Sequence, residues 1–188
     1  MSSLIRIWVS IILLALCLAL PARAASLNQG VFEVRLKDHR EAIGDFANLT
    51  VTVGDILISP KPRLIFWQSG WKSLNVAPET VDLTKYLGKS SALIYRASLN
   101  SGSFDGIHLK LKEIRGVLRK GPPATPIKDT IGPIRLAFEI SAESATLIVL
   151  DLVVVDMSDH PPRGYELAIR GYELFNNGKL IDKVPPGP

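Results

Sequence analysis

From Val31 the chain alternates between apolar and charged positions. Phe32, Val34 and Leu36 share one parity, and Glu33, Arg35 and Lys37 share the other. That period of two is the mark of a strand with one buried face. Leu49, Val51 and Val53 repeat the pattern around Thr50 and Thr52. After Gly54 and Asp55 the apolar parity passes to Ile56 and Ile58, so a β-bulge is expected at Gly54. Pro60 and Pro62 end that strand. Residues 64–67 and 71–74 flank Gln68-Ser69-Gly70. A glycine closing a three-residue loop predicts a hairpin with a G1 bulge, which sets Trp67 opposite Trp71 on one face.

Residues 78–87, with Thr80 or Asp82 as cap and Gly88 as stop, predict one short helix near 80–88. Residues 92–97 fit helix and strand alike. Ile107, Leu109 and Leu111 alternate with His108, Lys110 and Lys112, giving a strand with a basic outer face. Residues 121–133 contain four prolines and two glycines and predict a loop. Ile134, Leu136, Phe138 and Ile140 restart the alternation. Residues 146–155 are nearly all apolar and largely β-branched, the pattern of a central strand covered on both faces. Tyr165, Leu167 and Ile169 form the last clear strand, and Gly171 shifts its parity toward Tyr172 and Leu174. Asn176-Asn177-Gly178 signals a turn. Seven or eight short strands without an internal repeat predict an all-β (mainly β) fold. The expectation is a single antiparallel β-sandwich with one short helix near 80–88.

The amino terminus follows another pattern. Arg6 precedes an apolar run over residues 7–20, broken by Ser10, and Pro21-Ala22-Arg23-Ala24-Ala25 then supplies small residues. This order predicts a signal peptide over residues 1–24, cut after Ala24, and export to the periplasm, the cell surface or the exterior. Residues 25–30 read as a linker, 31–183 as the sandwich and 184–188 as a flexible tail. The apolar run is shorter than the roughly 20 residues of a spanning helix. Only an uncleaved leader would make it a membrane tether. Cys17, the single cysteine, follows a bulky Leu16 that does not suit lipoprotein processing. Its removal leaves a domain held by its core alone, with no thiol chemistry and no Cys-ligated zinc.

Composition narrows the function classes. Of 188 residues, 47% are apolar and 21% charged, which excludes a disordered chain. The formal charge of +4 includes Arg6 and Arg23, leaving about +2 for the mature domain, too little to argue for nucleic acid.

Four landmarks occur in order. They are Val34-Arg35-Leu36-Lys37-Asp38; Gly70-Trp71-Lys72-Ser73-Leu74 with Thr80-Val81-Asp82-Leu83; Leu99-Asn100-Ser101-Gly102-Ser103-Phe104 leading into Ile107-His108-Leu109; and Leu150-Asp151-Leu152. Together they resemble the exported β-sandwich family catalogued as domain of unknown function 4382. The third landmark departs from that family's Leu-Pro-x-Gly-x-Tyr, with Asn100 for the proline and Phe104 for the tyrosine. The resemblance implies a transthyretin-like or immunoglobulin-like sandwich in a secreted or envelope protein. It implies no established activity and carries no catalytic residues.

Trp67 and Trp71 are the first candidate site. An exposed aromatic pair can stack on a sugar ring or fill a partner's pocket, although cross-strand packing is the commoner use of such pairs. Lys110, Lys112, Arg115, Arg119 and Lys120 form a basic stretch that suits anionic headgroups or acidic polysaccharide; the plainer reading is a solvated strand face. Asp151, Asp156 and Asp159, with Glu166 nearby, match no calcium loop and read as solvated turn carboxylates. His39, His108 and His160 lack zinc-ligand spacing. No Gly-x-Ser-x-Gly elbow or phosphate-cradling loop occurs. The favoured reading is a non-enzymatic exported module, structural or protein-binding, in the cell envelope or an extracellular assembly. Its expected partner is another envelope or extracellular protein, with no cofactor, no metal and no nucleic acid. The alternative is a carbohydrate- or small-ligand-binding module using Trp67 and Trp71, with polysaccharide as partner. A hydrolase would need the three histidines and carboxylates to meet in one cleft.

Overall fold

The alternation that opens at Val31 belongs to β1 (Gln29–Asp38), which starts inside the expected linker. Gln29 and Gly30 already pair with Asn100 and Leu99. The computed structural model describes residues 28–39, 41–61, 70–121, 126–159 and 164–185. The expected leader, the strand expected over 64–67 with its Trp67, Gln68 and Ser69 of its hairpin loop, His160 and the last three residues of the expected tail lie outside them.

Ten further strands follow: β2 (Phe46–Pro60), β3 (Lys72–Ser73), β4 (Glu79–Asp82), β5 (Ala92–Asn100), β6 (Gly102–Leu118), β7 (Ile127–Asp129), β8 (Ile134–Ile140), β9 (Ala145–Asp156), β10 (Tyr165–Asn176) and β11 (Lys179–Val184). The first sheet runs β11-β10-β9-β1-β5, with β7 also on β10. The second runs β3-β2-β6-β8, with β4 also on β2. The fold is all-β and its two sheets share one core, as in a β-sandwich.

Three expectations need correction. The first sheet is mixed, because β1 runs parallel to β9 and β7 parallel to β10. β1 and β9 are joined through the whole second sheet, so their connection is long enough for parallel neighbours. The helix near 80–88 reduces to a 3-10 turn over Leu83–Lys85, because Thr80 and Val81 pair with β2 in β4. Val81 and Leu83 are both buried two residues apart, which is strand spacing. Asp82 caps that turn, accepting from the Thr84 N–H at 3.2 Å. The expected loop over 121–133 contains the three-residue β7.

Both parity shifts correspond to bulges. The β2–β6 register slips between Val53 and Asp55, and the β10–β9 register between Ile169 and Gly171. Asn177 and Gly178, with φ of 47° and 77°, make the turn into β11. Residues 92–97 resolve as strand. β9 is central, with Ile148, Leu150, Leu152 and Val154 in the core and Val153 fully buried on the opposite face.

Aromatic rings tie the sheets together. Phe138 of β8 stacks on Phe32 of β1 at 5.4 Å and on Phe104 of β6 at 5.0 Å. Toward the other end, Phe46 of β2 meets Tyr165 of β10 edge-on at 4.8 Å. Gly116 makes room for it: a Cβ there would lie 2.5 Å from the Phe46 ring.

Candidate functional site

Trp71 leads into β3, and β3 is held by the bulge in β2. The Asp55 carboxylate accepts from the Ser73 hydroxyl at 2.9 Å, and the Leu74 N–H donates to the Ile56 carbonyl at 2.9 Å. Leu74 is buried, which pins the segment. The Trp71 indole thereby lies over Gly106 of β6, where an added Cβ would stand 3.0 Å from the ring. It meets His108 edge-on at 6.0 Å. The indole remains 44% exposed. Ser59 of β2 and Arg135 of β8 sit opposite Gly106 on either side. Together with Asp105, they border an open cleft of about 510 Å³.

The basic stretch is not one patch. Lys110 and Lys112 are exposed, but Arg115 pairs with Glu113 at 2.7 Å. The Arg119 Nε donates to the Gly44 carbonyl at 3.0 Å. Arg119 and Lys120 turn to another cleft, beside Asp45 and Tyr165. The Tyr165 hydroxyl donates to Asp45. Burial and that bond push its pKa to about 12.

The two described histidines do not converge. His39 follows β1 in the first sheet, its N–H bonded to the Leu152 carbonyl, whereas His108 lies on β6 in the second. The carboxylates separate too. Asp156 accepts from the Ser158 N–H in a turn and Glu166 pairs with Lys128, both surface roles. Asp151 is different from the expected solvated group: it is 4% exposed on β9. Lys37 bridges Asp151 at 3.2 Å and Glu173 at 3.1 Å, and Lys183 closes the chain on Glu173 at 2.8 Å. The Lys183 hydrogen bond, with Lys37 beside it, holds Glu173 below the usual carboxylate range against its burial. A lone carboxylate inside the apolar run over 146–155 was the available signal for this network, because a buried charge demands a partner.

Asp38 was also unforeseen. It continues the inward parity of Phe32, Val34 and Leu36, is 1% exposed, and neither carboxylate oxygen has a hydrogen-bond partner. Burial, then Asp151 and Glu41, push its pKa to about 8. Among the described residues, no group of three His, Cys, Asp or Glu side chains is placed to hold a metal ion.

The remaining feature is an edge. β11 pairs with β10 and ends the first sheet. All six of its residues are exposed. Leu180, Ile181 and Val184 are three of the six exposed large apolar side chains among the described residues. Ile181, at 57% exposure, reaches the mouth of a cleft of about 250 Å³ shared with Phe138 and Glu139 of β8. Asp182 accepts from the Tyr172 hydroxyl at 2.8 Å and, with burial, pushes that phenol to about 12.

A family model described as Domain of unknown function (DUF4382) matches residues 29–167, which run from β1 into the start of β10. No curated protein and no solved structure matches the chain.

Proposed function

The chain belongs to the DUF4382 family, and on that premise we propose that it is an exported, non-enzymatic interaction module of the cell envelope or of an extracellular assembly. Its contact is the open edge of β11, which receives an extended strand of another envelope or extracellular protein. The observation that carries this reading is the concentration of Leu180, Ile181 and Val184 on one six-residue edge strand. A strand edge presents unpaired N–H and C=O groups, and its side chains then select the incoming strand. Lys179, Asp182 and Lys183, interleaved with the apolar positions, oppose indiscriminate pairing and favour a matched partner. Export rests on the apolar leader and its small-residue end.

The test is a photo-crosslinker placed at Ile181 in the native host. One discrete protein adduct is expected. Ile181→Lys should remove the partner from the purified complex while leaving the circular dichroism spectrum and Tm unchanged. A protein that stays monomeric, with no adduct from Ile181, would sink the reading.

A further inference from the structure

We infer that Trp71 is the stacking platform of a saccharide subsite on the outer face of the second sheet, taking a pyranose ring of an extracellular or envelope polysaccharide. This site is separate from the β11 edge. Gly106 has no side chain, which leaves room above its backbone for the edge of the indole, and the indole stays 44% exposed. A half-exposed indole over a glycine is an apolar plane of the size of a sugar ring. The C–H-rich face of a pyranose removes both surfaces from water when it stacks there.

The surroundings match a ring fringed with hydroxyls. Ser59, Asp105 and Arg135 offer a hydroxyl, a carboxylate and a guanidinium around the cleft. Asp105 and Arg135 are exposed and Ser59 is half-buried. A carboxylate accepts from adjacent sugar hydroxyls, and a guanidinium donates to their oxygens or to a uronate in a fork. His108 stands edge-on at 6.0 Å and walls one side of the indole. A protein partner would call for a different setting. Hot-spot tryptophans sit amid apolar groups that exclude water, whereas among the described residues no other exposed large apolar side chain borders this cleft.

The experiment uses the leader-free exported chain and two probes, a neutral glucose hexamer and a hexuronate hexamer, titrated by calorimetry. Saturable binding of at least one is expected. Trp71→Ala should weaken it at least tenfold, and Trp71→Phe should weaken it less. Arg135→Ala should weaken either probe. Asp105→Asn tells the two sources apart, lowering affinity for a neutral sugar and raising it for a uronate. Thermal unfolding of each variant confirms the fold. Ile181→Lys should leave saccharide affinity unchanged, so failure of this site and failure of the β11 edge are read separately. No saturable binding of either hexamer, or a Trp71→Ala protein that binds like wild type, would overturn the inference.

Discussion

Asp38 stands where the alternation of β1 carries a carboxyl group into the core. Burial, and then the charges of Asp151 and Glu41, discourage its ionisation. Its pKa is about 8 in the folded protein and near 3.9 in an unfolded chain. Between about pH 4 and pH 8 the folded state therefore holds the extra proton. This group's stabilisation is complete below pH 4 and is lost as pH rises through about 8. Asp38→Asn should raise stability at pH 9 by about 1–3 kcal/mol and change it far less at pH 5. Urea midpoints at the two pH values measure this; an equal effect at both would exclude the titration of Asp38 as the cause. The neighbouring Lys37 poses the opposite case. Lys37→Met leaves Asp151 buried without its cation and should cost about 3 kcal/mol, and adding Asp151→Leu should restore most of the loss. A double-mutant cycle on Tm and urea midpoint checks the coupling. Of these sites, the sequence exposes only fragments. The parity of Asp38 is visible once the strand is carried one residue past Lys37. The seat of Trp71 is not, because it depends on Gly106, a bare backbone position brought beside it from another strand.

The elements that alternate were the ones readable from the chain. β1, β2, β8 and the two halves of β10 each bury one parity, and their parity shifts mark the bulges at Gly54 and Gly171. β9 was readable for a different reason, since only a strand enclosed on both sides tolerates residues 146–155. The elements that escaped have no such contrast. β11 is exposed throughout, and β7 is three residues joined to β10 by parallel pairing alone. Pairing between distant strands leaves no local trace, which is also why the parallel contact of β1 with β9 was not foreseen. What the elements share is the stack of Phe32, Phe138 and Phe104, which joins β1 across the core to β8 and β6. Phe138→Ala removes the middle ring and should cost roughly 3–5 kcal/mol. The measurement is the shift in urea midpoint at constant slope. A loss below about 1 kcal/mol would mean that the stack does not couple the sheets.

At the scale of the whole molecule, neither sheet is a separate unit. The chain enters the first sheet at β1, crosses to the second at β2, returns for β5, crosses for β6, touches the first sheet again at β7, crosses for β8, and closes with β9, beside β1, then β10 and β11. Each sheet is therefore incomplete until distant segments have crossed, and both bury their inner faces in one cluster. No disulfide within the chain assists, because Cys17 is its single cysteine. Three consequences follow. Unfolding in urea should be a single transition, with tryptophan fluorescence and far-UV circular dichroism giving coincident midpoints. That midpoint should not move when a reductant is added, as there is no disulfide in residues 28–185 to break. Refolding should take milliseconds to seconds, because the pairing of β1 with β9 must close a long loop before it is rewarded. Separated fluorescence and dichroism midpoints would show that the second sheet, which carries Trp71, survives without the first. The shared aromatic core argues that it does not.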